Sequence, residues 1–496
     1  MKLAELLKNT GTAIPEFAAA VEVGGIASDS RKVKPKDVFV CIRGTRKDGN
    51  DFTGEAFARG AAAVISDARE GPGIITVPDA RAAESVMWNT FTGDPTSRMK
   101  TFAVTGTNGK TTVSYMLREI FRAAGYLTGS VTTVCSSIGD EVIDVGGGSS
   151  VSDAAAAMTT PDPEVFYPLA AKMRDMGAEV FIFEASSHAL AQRKLDPVRP
   201  DAAIFTNLSE EHLDFHLTME NYFLAKASLS DRSKKLIING DDPYMIRLSP
   251  HPGSVVCRTA PPVPGERCDV RALRQKLLGV RGVEYILYSE APAFRVSVPI
   301  PGDYTISNSL LASAAALSEG VSRRTVSCAL GRFRGVPGRL YRATPEGCPF
   351  TVLIDYAHTP AALSSLLRTV RGTVRPGSKI TVLFGCGGDR DRTKRKKMGA
   401  VASSLADFTV VTSDNPRGED PDLIIKQIMA GVDREKPHAV IRDRRAAIEY
   451  CVSEAVPGEV VVLAGKGHEK YEITADGKKP FDEEKIVTEL VKRREM

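Results

Sequence analysis

The sequence predicts an α/β protein of three domains, built on largely parallel sheets with helices on both faces. Three observations carry that prediction. At 496 residues the chain is too long for one hydrophobic core. Short apolar, strand-like runs alternate with amphipathic helical stretches over most of its length. The segment Thr105-Gly-Thr-Asn-Gly-Lys-Thr-Thr112 lies between such a run, Phe102 to Val104, and a helical pattern with apolar Val113, Leu117, Ile120, Phe121 and Ala124.

A smaller α/β domain is expected over residues 1–98. Its opening, MKLAELLKNTG, reads as a short amphipathic helix start without the continuous apolar stretch of a secretion signal. Short strands at 38–42, 62–65 and 74–77 follow, and the domain ends at the turn-rich Thr92-Gly-Asp-Pro-Thr-Ser97. The central domain, 99–335, is expected to be a doubly wound sheet of the P-loop ATPase type. Gly106 and Gly109 let backbone N–H groups approach an anion closely, with Thr107 and Asn108 between them. The helix N-terminus adds partial positive charge, Lys110 a full charge, and Thr111 and Thr112 hydroxyls, the first suited to Mg²⁺. The loop departs from G-x-x-x-x-G-K-[ST], because position 104 is Val and two residues separate the glycines. Gly125 is placed to cap the helix. The cluster Gly146-Gly-Gly-Ser-Ser150 reads as a mobile loop. A second boundary falls near Gly335-Val-Pro-Gly-Arg339, and a C-terminal Rossmann-like domain fills 336–496.

Composition narrows the function classes. Apolar content of 43% and charged content of 25% are those of an ordinary globular protein. A net charge of +4 neither requires nucleic acid nor excludes acidic ligands. No segment reaches the ~18 apolar residues of a membrane span. Eight cysteines without a C-x-x-C pair suit reduced thiols in the cytoplasm, and no zinc site is expected. The run Asp389-Arg-Asp-Arg-Thr-Lys-Arg-Lys-Lys397 interleaves acids and lacks aromatic residues, so it reads as a solvated helix start rather than a nucleic-acid patch.

In open parallel sheets, ligands bind beyond the carboxyl ends of the strands. Six expected strands end there in polar turns. Two in the central domain deliver Glu184 and His212; four in the last deliver Asp355 with His358, Arg390, Asp414 to Arg417, and Gly465 to Glu469. The pattern predicts a cleft between two nucleotide-type domains. Glu184 and His212 join Thr111 as candidate Mg²⁺ ligands, since phosphoryl transfer needs a metal near the γ-phosphate. Lys226 falls on the apolar stripe of its helix with Met219, Tyr222 and Phe223, and Thr218 is the expected N-cap. On the residues alone a snorkelling lysine is the simpler reading; a buried amine that pairs with a carboxylate, or forms a metal-binding carbamate with CO₂, is the other. Arg390 and Arg417 offer forks for carboxylates, and Asp414 and Glu469 can accept from an ammonium, a charge pattern that fits a zwitterionic amino acid. Surface ion pairs are the plainer alternative.

Together and in this order, these motifs resemble the Mur ligase family over nearly the whole chain. TGTNGKTT, EASSHAL (184–190), NLSEEHLDFH (207–216) and YFLAK (222–226) look like that family's central domain. DYAHTP (355–360), GCGGDRD (385–391), DNPR (414–417) and GKGHE (465–469) look like its C-terminal domain. The resemblance implies an ATP-dependent amide ligase that adds meso-2,6-diaminopimelate to the γ-carboxylate of D-Glu in UDP-N-acetylmuramoyl-L-Ala-D-Glu, through an acyl phosphate, in cytoplasmic peptidoglycan precursor synthesis. By it, Lys110, Glu184, His212 and Lys226 are catalytic. Thr111, Glu184, His212 and carbamylated Lys226 are metal-binding, and Gly106 to Thr112 with Asp355 and His358 are nucleotide-binding. Ser28, Ser30, Thr45, Arg46 and Lys47 would meet the UDP end of the substrate, and Thr159, Thr160, Ser186, Gln192 and Lys194 its muramoyl-dipeptide. Arg390, Asp414, Asn415, Pro416, Arg417, Gly465 and Glu469 would hold diaminopimelate. Met158 stands where Asn is usual and Lys194 where Arg is common; Arg193 is a candidate substitute for the second. Arg417 favours diaminopimelate over L-lysine, which has no distal carboxylate.

A monomer without nucleic-acid or membrane partners is expected. A ligase like folylpolyglutamate synthetase should lack DNPR and the UDP-type N-terminal domain. A nucleotide-switched regulatory ATPase would need neither Lys226 on an apolar face nor a zwitterion pocket.

Overall fold

The computed structural model describes residues 1–44, 47–143, 158–289, 292–345 and 347–495. The glycine cluster at 146–150 lies outside them, as do Thr45 and Arg46. Two compact units emerge, Met1–Arg271 with Leu310–Val326, and Ala272–Ser309 with Ser327–Met496.

The first unit opens with a four-stranded sheet, Gly25–Ala27, Asp37–Val40, Ala63–Ser66 and Ile74–Thr76, parallel throughout. Parallel pairing forces crossovers, and each face of the sheet carries its own apolar cluster, one around Val38, Val40 and Ile65 and one around Phe39, Val64 and Ala56.

The same unit holds a larger sheet whose middle strand is Lys100–Thr105, flanked by Val180–Glu184 on one side and Ala202–Phe205 on the other, all parallel. Lys235–Asn239 and Ser254–Arg258 extend it past Ala202–Phe205, and Thr128–Val131 past Val180–Glu184. Chain order reverses at Lys100–Thr105, so the topology opens a crevice at that strand's carboxyl end. Register sets what meets there: Val104 lies beside Glu184 and Thr105 beside Phe205. The expected unbroken strand–helix alternation does not hold at the edge. Ser136–Ile138 and Glu141–Val142 add in antiparallel fashion, because connections this short cannot cross over.

In the second unit the strand order is Tyr341–Arg342, Thr351–Asp355, Val460–Ala464, Ile380–Phe384, Phe408–Val411 and His438–Val440, with only the first antiparallel. Asp355, Ala464 and Phe384 are in register, and Val411 lies beside Phe384, so the turns that follow leave from one edge. Separate clusters, around Phe384 and Met398 and around Leu463 and Ile448, cover the two faces. Two antiparallel hairpins complete the unit, Val283–Tyr288 with Phe294–Val298 and Tyr471–Thr474 with Gly477–Pro480. Among the described residues no helix is long and apolar enough to cross a membrane.

Candidate active site

The phosphate loop leads from Thr105 into the helix Lys110–Ala123, as the sequence predicts, with Gly125 at positive φ beyond its end. Gly106 (φ 142°) sits so close to Thr206 that a Cβ would overlap its hydroxyl, which is why only glycine serves here. The loop is pinned from the neighbouring strand end. Thr206 Oγ1 donates to the Asn108 carbonyl at 2.6 Å, and Asn207 receives the N–H groups of Thr107 (2.8 Å) and Asn108 (2.9 Å) on its carbonyl and side-chain oxygens. Neither Thr206 nor Asn207 was expected as a site residue. Their signal is position alone, one step past a strand adjacent to the loop.

Two lysine amines converge on one carbonyl. Lys110 Nζ donates to the oxygens of Gly106 (3.0 Å) and Thr107 (2.8 Å), and Lys226 Nζ donates to Gly106 at 2.8 Å. Thr218 caps the helix Met219–Ala227 as predicted, and Lys226 is 1% exposed. The snorkelling reading therefore fails: the helix face carrying Tyr222 and Phe223 is packed, and no path returns the head to water. Burial, with the nearby Lys110 charge, holds the Lys226 amine well below the usual lysine range. Its Nζ lies 4.7 Å from the Tyr222 ring centroid, and the Tyr222 hydroxyl meets Thr107 Oγ1 at 3.1 Å.

Glu184 is fully buried and receives the Thr133 N–H (3.0 Å) and hydroxyl (2.9 Å), with Thr111 near enough to help lower its carboxyl. Burial pushes its carboxyl above the ordinary value against the pull of Thr133, Lys110 and Thr111. Thr111 and Glu184 are thus brought together as expected. His212 packs edge-on to His188 at 4.8 Å and to Tyr222 at 6.1 Å. His188 also neighbours His216, whose Nε2 meets Ser187 Oγ at 3.0 Å and whose imidazole burial pushes down to about 4.

The residues assigned to the muramoyl-dipeptide gather beside Glu184. Thr160 Oγ1 donates to the Glu184 carbonyl at 2.7 Å and receives the Ser186 N–H at 2.9 Å, and Thr159 Oγ1 meets Thr133 Oγ1 at 3.1 Å. Gln192 closes the short helix Ser187–Ala191. Lys194 pairs with Asp162 at 2.7 Å, and Arg193 pairs with Asp79 and Asp196. In the opening part of the first unit Ser30 donates to Glu55 at 3.0 Å, Lys47 lies 5.6 Å from the Phe52 ring centroid, and Ser28 is near enough to the buried Glu84 to lower its carboxyl against burial.

The last domain's candidates all leave one sheet edge. Asp355 receives the N–H groups of Leu340 (2.8 Å) and Ala357 (2.9 Å), which makes it a brace for the turn that presents His358. Arg417 reaches the Gly388 carbonyl at 3.0 Å, joining two of the turns, and Pro416 beside it is buried. Arg390 is exposed, with its own turn's Asp389 carbonyl as partner at 3.5 Å. Asp414, expected to accept from an ammonium, instead faces the interior: it is 7% exposed, 3.8 Å from Arg444 and 3.9 Å from Lys466, with Gly465 packed against it. Glu469 is the half-buried carboxylate of the group, held by Asn415 Nδ2 at 2.8 Å. The basic run is not wholly solvated either. Arg395 is fully buried in a two-pronged pair with Glu419 (3.0 and 2.9 Å) and donates to Gly387 at 3.0 Å, tying this helix to the turns.

A strand-end crevice carrying a phosphate loop in one unit and, in the other, a sheet with a charged turn cluster at its strand ends define a nucleotide-dependent ligase of the Mur class, and the comparisons agree. Three family models match: "Mur ligase family, catalytic domain" over residues 22–86, "Mur ligase middle domain" over 104–316, and "Mur ligase, glutamate ligase domain" over 338–467. Among curated proteins, UDP-N-acetylmuramoyl-L-alanyl-D-glutamate–2,6-diaminopimelate ligase of Syntrophomonas wolfei is 36% identical, covering 99% of each chain. The protein of that name from Caldanaerobacter subterraneus subsp. tengcongensis is 38% identical over 100% of both. A solved structure of a UDP-N-acetylmuramoyl-L-alanyl-D-glutamate–2,6-diaminopimelate ligase superposes with a TM-score of 0.71 at 29% identity, over 98% of both chains. The chain belongs to the Mur ligase family.

Proposed function

We propose that this chain is an ATP-dependent amide ligase that joins meso-2,6-diaminopimelate to the γ-carboxylate of D-Glu in UDP-N-acetylmuramoyl-L-Ala-D-Glu, acting as a cytoplasmic monomer in peptidoglycan precursor synthesis. The observation that carries the reading is the meeting of Lys110 and Lys226 at the Gly106 carbonyl of the phosphate loop. The full-length likeness to diaminopimelate ligases supports the choice of substrates. On this reading residues 1–98 hold the UDP end, 99–335 the ATP, and 336–496 the amino acid.

Lys110 offers a cation to the phosphates, and the loop's N–H groups cradle them. A carboxylate oxygen of the substrate bonds to the γ-phosphorus as the bond from that phosphorus to the β-phosphate oxygen breaks and ADP leaves, and the positive charge of Lys110 offsets the charge that spreads over the transferred oxygens. The diamine's nitrogen then attacks the acyl carbon, the C–N bond forms as the C–OPO₃ bond breaks, and phosphate leaves. No side chain of the protein serves as nucleophile. Mg²⁺ fits the donor set, because Thr111 and the buried Glu184 present hydroxyl and carboxylate oxygens close enough for Thr111 to act on the Glu184 carboxyl. Bound there, it would supply Lewis-acid charge to the phosphate oxygens. Lys226, an amine whose burial favours the neutral form, has the chemistry to take up CO₂ as a carbamate and so add an oxygen donor.

Arg417 gives the reading its specificity. A guanidinium built to meet a distal carboxylate is left unpaired by lysine. Competition between diaminopimelate and L-lysine for the muramoyl-dipeptide, read by product mass, tests it. Predominantly diaminopimelate product is expected; equal incorporation would overturn the assignment.

A further inference from the structure

Beneath the charged turns of the second unit lies an ammonium that the reaction scheme leaves without a role. Lys466 is fully buried, and its Nζ donates to Asn415 Oδ1 at 2.9 Å and to the Tyr471 carbonyl at 2.9 Å, with Asp414 at 3.9 Å. It thus joins three segments: its own turn after Val460–Ala464, the turn after Phe408–Val411, and the hairpin strand Tyr471–Thr474. The consequence falls on Asn415. A carboxamide has one acceptor end and one donor end, and an ammonium has only donors. With Lys466 and the Ile473 N–H (3.0 Å) both on Oδ1, the amide has one orientation left, and its Nδ2 is aimed at Glu469 Oε2 at 2.8 Å.

We propose that Lys466 is a positioning residue for the incoming amino acid: it locks Asn415 so that Asn415 holds Glu469 in place to accept the substrate's ammonium. The inference rests on the ligase reading above. Asp414 is unavailable for that task, being turned toward Arg444 and Lys466. Burial raises the Glu469 carboxyl, while the Asn415 bond and the Lys466 charge draw it back toward the ionised form that an ammonium needs.

The test is steady-state ligation by Lys466→Met, Asn415→Ala and the double variant, with diaminopimelate and ATP varied in turn and thermal melting measured alongside. Each single variant should raise KM for diaminopimelate about tenfold, the size of effect a charge-assisted hydrogen bond carries, and leave KM for ATP within about twofold. The double variant should be no worse than the poorer single, because both changes break one chain of contacts. Multiplied effects, or equal rises in both KM values, would overturn the role. Should Lys466→Met fail to fold, Asn415→Ala alone decides by the same split. Wild-type protein that forms no amide with diaminopimelate sinks the ligase reading itself, whereas active wild type with an unchanged KM in the variants sinks only the role of Lys466.

Discussion

The phosphate-loop crevice and the charged turns of the last domain are both strand-end sites, yet they are held together differently. In the crevice, Lys110 and Lys226 donate to loop carbonyls, and the apolar helix carrying Lys226 supplies the burial. In the turn cluster, Arg395, Arg444 and Lys466, all 2% exposed or less, lash one turn to the next through Glu419, Glu483, Asp414 and Asn415. On the proposed reading, the contrast follows from what each would bind. A nucleotide triphosphate brings concentrated charge and can draw lysines to itself. A zwitterionic amino acid brings little net charge, so its cradle must be rigid beforehand.

That contrast is open to attack by mutation. Lys226→Ala should lower kcat at least a thousandfold without loss of folding stability, since the variant removes a desolvated amine rather than a prop. Partial recovery with added short carboxylates would favour the carbamate, while full activity in ligation assays would remove Lys226 from the mechanism. Arg417→Ala should raise KM for diaminopimelate on the order of a hundredfold and leave KM for ATP nearly unchanged; equal effects on both would contradict the pocket. Arg444→Met should do the opposite of Lys226→Ala. It leaves the buried Glu483 carboxylate without its partner, formerly at 2.8 Å, and should cost roughly 3–5 kcal/mol in urea unfolding. A loss below about 1 kcal/mol would mean the turns are not braced through it.

The smallest effect concerns the first sheet. Glu84 is buried beside Ser28, and burial pushes its carboxyl from 4.5 to about 7. A raised folded-state value means the stabilising, protonated form is fully present below 4.5 and is lost as pH climbs through about 7. Stability should fall across that window by at most ~3 kcal/mol, and Glu84→Gln should flatten the slope. An unchanged slope in the variant, followed by urea titration at several pH values, would place the dependence elsewhere.

Much of this was legible in the sequence because strand-end logic is local. The loop at 105–112, Glu184 and the four C-terminal turns follow from an apolar run meeting glycine and polar residues, and within each sheet register then aligns the strand ends that carry them. Lys226 was half legible. Its stripe position was visible, but whether its head escaped to water depended on packing by residues more than a hundred positions away, at Gly106. The bracing was hidden for the same reason. Arg395 sits in a run of charges that reads as wet, and only the fold brings Glu419 to it. His212 follows the strand-end rule in sequence, whereas its positive φ (57°), its place at the head of a short helix and its ring contact with His188 are visible only in the fold.

The central claim is that a terminal phosphoryl group is passed to a substrate carboxyl, which then captures the diamine. Phosphate release measured with ATP, UDP-N-acetylmuramoyl-L-Ala-D-Glu and diaminopimelate, each omitted in turn, tests it most directly. The account predicts rapid release only with all three present, with one new amide formed per phosphate. Equal release from ATP alone, with no amide product, would contradict it.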